Sequence, residues 1–215
     1  MNEILNLNNV SLMVDGKRIF NLSFKIMSGD FFFIEGKNAS GKSLLLKLLY
    51  LKTLPDEGEI FLHGQKIKKE DKRSILTYRK KIGVILQNDY LIPFFSVYEN
   101  IELASEIQES SDNFASRINQ ILEWLGLEKI KNIKVDRLSN GEKQKVVIAR
   151  ALINNPKIII ADQPENNLDR DTIKKVFFLF ESLNKLGTTL IITSNLENII
   201  KVNYKTVNLS SKEND

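Results

Sequence analysis

The chain has 215 residues, of which 42% are hydrophobic, and its 31 Lys and Arg against 27 Asp and Glu leave a net charge of +4. This length favours one globular domain with a sizeable core, and so small a positive excess is weak evidence for a nucleic-acid partner. The lack of cysteine excludes a disulfide framework and thiolate metal sites, and no apolar run approaches the roughly 18 residues of a membrane span. We therefore expect a cytoplasmic protein that reaches a membrane only through a partner.

The first part of the chain predicts antiparallel strands. Residues 4–26 alternate apolar and polar positions on either side of Asp15-Gly16-Lys17, a pattern typical of a β-hairpin. Residues 55–58 then predict a turn, 59–62 a short strand and 63–64 a second turn. His63 has no second histidine or cysteine beside it, so we interpret it as a solvated turn residue rather than a metal ligand.

Residues 36–43 read GKNASGKS and fit the phosphate-binding pattern G-x-x-x-x-G-K-[ST] at every fixed position. An apolar run typical of a buried strand (31–34) precedes them, and a run of helix formers (44–49) follows. The glycines permit a tight turn that directs backbone N–H groups at an anion, Lys42 adds a positive charge, and Ser43 offers a hydroxyl to Mg²⁺. The sequence therefore predicts a loop that holds the phosphates of a nucleotide.

The segment after this loop is first basic and then apolar. Residues 66–81 are rich in Lys and Arg but lack interleaved aromatics, which favours a solvated helix face over a nucleic-acid surface. A β-type run over 82–86 ends at Gln87. Residues 88–100 are too apolar for an ordinary solvent loop, so they either pack inward or contact a partner.

The second half predicts alternating helices and strands. Residues 97–134 are predicted to be helical, with an apolar stripe of Phe114, Ile118, Ile121, Leu122 and Leu125 that ends at Gly126 and has Trp124 packed nearby. Further predicted elements are a helix over 142–154 opened by LSNGE, a buried strand over 157–162 ending in Asp162, a helix over 169–186 and a buried strand over 188–193.

Together these elements predict an α/β fold with one mostly parallel sheet, helices on both faces and antiparallel strands at the N-terminal end. In such sheets the ligand binds at the carboxyl ends of the strands. Residues 1–215 are interpreted as a single nucleotide-binding domain, and the helical stretch 88–150 as a subdomain inserted into it.

The chain resembles the ATP-binding-cassette (ABC) ATPases over nearly its whole length. The resemblance lies in the order of five motifs: the phosphate-binding loop (residues 36–43), Gln87, LSNGE, KIIIAD and NLD. LSNGE at this spacing distinguishes that family from kinases and GTPases. Within it, the stretches LLYLKTLPDEG, YRKKIGVILQNDYLIPFFSVYENI and LNKLGTTLIIT are most similar to the bacterial cell-division (FtsE) group, with lipoprotein-release and macrolide-export ATPases as near relatives. The resemblance implies the P-loop NTPase fold.

The resemblance also implies a site for ATP and Mg²⁺. The residues around ATP would be Gly36, Asn38, Ala39, Ser40, Gly41, Lys42, Ser43 and Leu44. Those near the metal ion would be Ser43, Gln87 and Asp162, with Gln87 also near the attacking water. In this family two chains hold two ATP molecules head to tail. The residues facing the ATP of the opposite subunit would be Ser139, Gly141 and Glu142, with Asp169 at the dimer seam.

Four positions depart from the family pattern. Gln163 stands where the glutamate that polarises the attacking water is usual, and an uncharged amide cannot accept a proton. Ser194 replaces the expected histidine, Val14 the aromatic that stacks on adenine, and Asn140 a glycine. The departures at Gln163 and Ser194 predict slow or lost hydrolysis.

Two questions about Gln163 follow from the sequence. A glutamine at this position is also a common engineered substitution for trapping the ATP-bound state, so both origins stay open, and the accompanying loss of the histidine favours natural attenuation. Glu165 is not expected to replace the missing base, because a shift of two residues along the turn should aim its carboxylate elsewhere.

The implied function is that of an ATP-binding subunit in a membrane complex of the FtsE–FtsX type. ATP-driven dimer closure would be transmitted to an FtsX-like partner that docks near Gln87 to Tyr98. Two alternatives remain: a non-hydrolysing, ATP-responsive regulatory clamp, and the ATPase subunit of a lipoprotein-release or macrolide-type exporter.

Overall fold

The computed structural model describes residues 2–37, 39–87, 90–105, 113–196 and 202–209. The strands are β1 Glu3–Val14, β2 Lys17–Met27, β3 Phe31–Glu35, β4 Glu57–Leu62, β5 Gln65–Lys66, β6 Ile82–Ile85, β7 Ile158–Asp162, β8 Thr189–Thr193 and β9 Lys205–Asn208. The helices are α1 Lys42–Leu49, α2 Lys72–Arg79, α3 Val97–Ser105, α4 Phe114–Leu125, α5 Asn140–Leu152 and α6 Arg170–Lys185.

The central sheet is parallel, with strand order β6-β7-β8-β3-β9. Its apolar strands are buried on both faces: in β3, Phe31 and Phe33 belong to one core, and Phe32 and Ile34 belong to the other. Helices α3 to α6 cover the first face, whereas α1, the buried side of α2 and the N-terminal sheet cover the second. The predicted α/β fold is confirmed, and the continuous apolar strands follow from burial on both sides.

The N-terminal sheet is antiparallel, with strand order β2-β1-β4-β5. Its first two strands form the predicted hairpin, and Asp15 and Gly16 turn the chain with φ of 50° and 75°. Strand β4 begins at Glu57, two residues earlier than expected, because Glu57 pairs with Ser11 of β1.

The helical stretch predicted over 97–134 contains α3 and α4 but ends earlier than predicted, and its residues 106–112 lie outside the described part of the chain. Helices α3 and α4 are followed by a 3₁₀ turn at Glu128–Ile130. The chain then leaves the helical path, because the carbonyls of Lys131 and Ile133 accept hydrogen bonds from the first residues of α3. The prediction of helix through residue 134 is therefore wrong at its end.

The apolar stripe of α4 is confirmed. Ile118, Leu122 and Leu125 are buried, and Gly126 ends the helix in the left-handed conformation with φ of 69°. Trp124, expected to pack near this stripe, keeps more than a third of its surface exposed.

Strand β9 was not predicted, because its pairing depends on contacts distant in sequence. It pairs with the edge of β3, and Lys205 at its start donates to both carboxylate oxygens of Asp30, at 2.7 and 2.8 Å. Along the described part of the chain, no helix combines the length and apolar character that crossing a membrane requires.

Candidate functional site

The register of the parallel sheet gathers the predicted site residues at one edge. Thr193 at the end of β8 pairs with Asp162 at the end of β7 and with Ile34 of β3. The end of β6 pairs with Ala161, which places the exposed Gln87 just beyond the same edge. The phosphate-binding loop leaves β3 at this edge, so residues distant in sequence meet where ligands bind in α/β sheets.

The loop enters α1 through a backbone conformation that requires glycine. Gly41 has φ of 94°, and a Cβ there would lie 2.5 Å from a methyl carbon of Ile19 on β2. Gly41 supplies no side-chain cap, so the N–H groups of the first turn are left for an anion. Ala39 is exposed and Leu44 is half-buried at the two ends of this turn, whereas Asn38, also expected at the site, lies outside the described residues.

Lys42 and Ser40 fit the phosphates of a nucleotide. Lys42 is only 8% exposed, and its ammonium donates to the carbonyls of Gly36 and Lys37, at 2.6 and 3.1 Å. The hydroxyl of Ser40 is buried and has no hydrogen-bond partner within the described ranges. A buried hydroxyl without a partner is costly, and a phosphate oxygen would satisfy it.

Asp162 is 3% exposed and is held by two hydroxyls. Ser43 Oγ donates to its Oδ2 at 2.6 Å, and Thr193 Oγ1 donates to its Oδ1 at 2.7 Å. The hydroxyl of Ser43 and the carboxylate of Asp162 are hard oxygen donors, and Mg²⁺ is usually bound by one or two carboxylates together with substrate phosphates. The pair therefore fits a Mg²⁺ that arrives with a nucleotide.

Gln163 is fixed in both its backbone and its side chain. It has φ of 49°, which is uncommon for a residue other than glycine, and its N–H donates to the carbonyl and hydroxyl of Thr193, at 3.0 and 3.1 Å. Its side-chain carbonyl accepts a hydrogen bond from Asn166 at 2.9 Å. The side chain can orient a neighbouring molecule, but it offers no basic group.

Ser194 is turned toward Glu165. Its hydroxyl donates to Glu165 Oε1 at 2.7 Å, and the N–H of Asn195 donates to the same oxygen at 2.9 Å. The position predicted for a catalytic residue is thus occupied by a hydroxyl that is already bonded to a buried carboxylate.

The LSNGE motif forms the start of α5. Ser139 caps the helix: its hydroxyl accepts from the N–H of Glu142 at 3.3 Å, and its own N–H donates to the Glu142 carboxylate at 2.8 Å. The Ser139 hydroxyl also donates to that carboxylate at 2.6 Å, which lowers the pKa of Glu142. A Cβ at Gly141 would lie 2.7 Å from the carbonyl oxygen of Asn167, so only glycine lets α5 lie against the turn before α6.

Two further residues predicted at the site are Asp169, at the start of α6, and Val14, at the end of β1. Asp169 caps α6 and accepts hydrogen bonds from the N–H groups of Asp171 and Thr172, at 3.1 and 2.9 Å. The Thr172 hydroxyl also donates to Asp169, and the hydrogen bonds from Thr172 lower the pKa of Asp169 to about 2. Val14 is exposed at the end of β1, next to the hairpin turn.

Sequence reasoning missed two residues of this network, Thr193 and Asn166. Thr193 links Asp162 to the backbone of Gln163, and Asn166 holds the Gln163 side chain. A polar residue at the carboxyl end of a buried strand was a usable signal for Thr193. Asn166 gave no comparable signal, because its role depends on the conformation of the turn.

Residues 19–166 match the ABC transporter family. The chain belongs to this family. It is 35% identical to the cell division ATP-binding protein FtsE of Streptococcus pneumoniae over 83% of this chain and 78% of that protein. It is 32% identical to the lipoprotein-releasing system ATP-binding protein LolD of Aquifex aeolicus over 97% of this chain and 95% of that protein.

Among solved structures, this ABC ATPase is similar to the dimeric post-hydrolysis structure of the ATP-binding cassette MJ0796 bound to ADP and Pi. The TM-score is 0.86 at 31% identity, over 95% of this chain and 94% of that chain. The resemblance drawn from the motifs is confirmed. The chain is an ABC ATP-binding subunit of a membrane transporter complex, from a family that binds ATP, usually with Mg²⁺, generally hydrolyses it and acts as dimers with a membrane partner.

Proposed function

We propose that this ABC ATPase is the ATP-binding subunit of an FtsE–FtsX type complex at the cytoplasmic face of the cell membrane. ATP closes a homodimer, and the closure is transmitted to an FtsX-like membrane partner. The similarity to FtsE proteins supports this assignment. The mechanism rests on one observation: Lys42, Ser43 and Asp162, the residues proposed to bind phosphate and metal, are ordered by hydrogen bonds, and a glutamine follows Asp162 at position 163.

ATP binding uses residues that the structure already orders. The first turn of α1 and Lys42 hold the phosphates, whereas Ser43 and Asp162 hold Mg²⁺, with Gln87 near it. When bound, Mg²⁺ neutralises charge on the phosphate oxygens. On dimer closure, Ser139 and Gly141 approach the ATP of the opposite subunit, and the Ser139 hydroxyl exchanges its bond to Glu142 for a phosphate oxygen.

Hydrolysis is slow in this proposal. Gln163 orients the attacking water through an amide that Asn166 holds in place, but it takes no proton from that water. General-base catalysis contributes about 10²- to 10⁴-fold to a rate, which is the range of the expected deficit. ATP binding, rather than rapid turnover, then sets the state of the complex.

The membrane partner docks near Gln87 to Tyr98, at a groove to which this stretch contributes Tyr90; residues 88–89 lie outside the described part of the chain. The groove has a volume of about 240 Å³ and is lined by Tyr50, Lys52, Val84, Leu86, Tyr90, Val147 and Arg150. Arg150 donates to the carbonyl of Tyr90 at 2.8 Å, and the Lys52 ammonium lies 5.1 Å from the Tyr90 ring centroid. Tyr90 is therefore held in place while more than half of it remains exposed, as expected of a wall that receives an apolar helix.

Co-purification with the product of the adjacent membrane-protein gene, with and without ATP and Mg²⁺, tests this assignment. Tyr90→Ala should lower the amount of co-purified partner about tenfold, because an aromatic anchor of a docking groove is lost. Phe178→Ala, which removes an exposed aromatic side chain from α6, is the matched control and should retain the partner. Equal recovery with both variants would place the docking surface elsewhere.

The similarity to LolD supports a second candidate function, the ATPase subunit of a lipoprotein-release or macrolide-type exporter. The adjacent membrane protein separates the two, because a four-span protein without a substrate-export periplasmic domain supports the division role. A third candidate, supported by Gln163, is a regulatory clamp without turnover. Absence of phosphate release in a single-turnover experiment with the partner present would favour it.

A further inference from the structure

Glu165 is a buried carboxylate to which the ATP site described above assigns no role. It lies in the turn between β7 and α6 and is 7% exposed. Its Oε1 accepts two hydrogen bonds, from Ser194 Oγ and from the N–H of Asn195. Its Oε2 is buried, and no residue in the described parts of the chain donates to it.

The hydrogen bonds of Glu165 join it to one segment. Burial of a carboxylate costs free energy unless hydrogen bonds compensate, and among the described residues both donors come from Ser194 and Asn195. The side chain is better explained by the segment that it holds, residues 194–196.

This segment leaves β8 directly beside the predicted metal and phosphate site. It follows Thr193, whose hydroxyl donates to Asp162 and whose carbonyl accepts from the N–H of Gln163. The Ser194 hydroxyl, besides donating to Glu165, accepts from the N–H of Leu196 at 3.0 Å. One oxygen of Glu165 thus orders a side chain and the backbone of the whole segment.

We propose that Glu165 is a positioning residue that orders residues 194–196 beside Asp162, so that this segment responds to the terminal phosphate of ATP. The inference rests on the proposed nucleotide site. Glu165 acts through Ser194 and Asn195 and does not itself contact the nucleotide. A glutamine at 165 would keep an acceptor oxygen for both donors, whereas an alanine would release both.

Hydrogen exchange of the full chain with Mg²⁺ and either ATP or ADP tests this role. In the wild-type protein and in Glu165→Gln, the peptide that contains residues 194–196 should exchange about threefold or more slowly with ATP than with ADP. In Glu165→Ala this difference should vanish, while the affinity for ADP stays within about twofold of wild type. A purely structural residue would weaken both nucleotides alike and would not be rescued by glutamine.

A persisting ATP–ADP difference in Glu165→Ala, or no difference in the wild-type protein, would overturn the proposal. If Glu165→Ala fails to fold, Ser194→Ala provides the test, because it removes the hydroxyl that Glu165 holds and leaves the carboxylate in place. Loss of the ATP–ADP difference in the exchange of residues 194–196 would support the proposed role of Glu165. Retention of that difference would overturn it. Sedimentation of the same samples separates this inference from the proposed function. A wild-type protein that stays monomeric with ATP contradicts the proposed dimer closure, while the exchange comparison still decides the role of Glu165.

Discussion

At the scale of single residues, the proposed site pairs an ordered carboxylate, Asp162, with an uncharged amide, Gln163. Asp162 is desolvated and held by two hydroxyls, so its carboxylate is oriented before any ligand arrives. Gln163, the next residue, is equally well oriented but has no basic atom. In the proposed function, Asp162 therefore serves the binding of ATP with Mg²⁺, whereas Gln163 limits its hydrolysis.

Gln163→Glu should raise the steady-state rate of ATP hydrolysis by about 10²-fold or more, because it restores a carboxylate where a proton acceptor is expected. Phosphate release from the purified protein measures the rate. Gln120→Glu is the matched control, since Gln120 is exposed on α4 and has no part in the proposed site. An unchanged rate in Gln163→Glu would indicate that Ser194 or the dimer interface, rather than Gln163, limits hydrolysis.

At the scale of elements, the caps and loops around the sheet edge depend on single polar side chains. Asn100 of α3 is fully buried, accepts from the N–H of Ile92 at 2.8 Å, and donates to the carbonyls of Ile92 and Ser96, at 3.1 and 3.0 Å. It orders the chain before α3, next to the proposed docking groove. Asp169 has the corresponding role at the start of α6.

Asn100→Ala should lower the free energy of unfolding by about 2–4 kcal/mol, because several buried backbone groups lose their partner. Urea unfolding followed by circular dichroism measures the change. Asn113→Ala is the control, since Asn113 is exposed and its side chain makes no capping bond to α4, and it should change the free energy by less than about 0.5 kcal/mol. Similar losses in the two variants would contradict the role of Asn100.

The cap of α6 should weaken in acid. The pKa of Asp169 is lowered from 3.8 to about 2 by bonds to Thr172, so the folded state binds its proton less tightly than the unfolded chain. The stabilisation by this group is therefore complete above the unfolded pKa and is lost as the pH falls toward the folded pKa.

Asp169→Asn keeps a capping oxygen at every pH, so it isolates this titration. Thermal midpoints measured at about pH 5 and about pH 2.5 should fall more for the wild-type protein than for Asp169→Asn. Parallel pH profiles of the two proteins would show that the Asp169 cap does not titrate in this range.

At the scale of the whole molecule, the chain carries two separate ends of the proposed ATP site. The phosphate loop lies on the sheet edge, whereas Ser139 begins α5 with its hydroxyl bonded within its own helix. Gly141 brings that helix start against Asn167, so α5 and the turn before α6 form one continuous surface. In the proposed dimer this surface faces the phosphate loop of the other subunit.

Lys42→Ala should abolish ATP-driven dimerisation, because it removes the ammonium that is proposed to hold the phosphates. Analytical ultracentrifugation with ATP and Mg²⁺ measures the dimer. Lys47→Ala removes a lysine from the last turn of the same helix and should still dimerise. Dimers that persist in Lys42→Ala would contradict an ATP-gated closure.

The fold class, the family and the order of the site's parts could be predicted from the sequence. These follow from local patterns: the hairpin alternation around Asp15, the glycine loop between strand and helix, and the buried strand that ends in Asp162. Each pattern reflects short-range backbone geometry or burial on both faces of a sheet, which a single stretch of sequence can encode.

The contacts between side chains that are distant in sequence could not be predicted and are known from the folded structure. The hydrogen bonds from Thr193 to Asp162 and from Ser194 to Glu165 span about 30 positions and depend on the register of two parallel strands. The pairing of β9 with β3 and the contact of Gly141 with Asn167 likewise join distant segments. Residue type alone cannot predict such pairs, because packing of the whole sheet sets the distances between them.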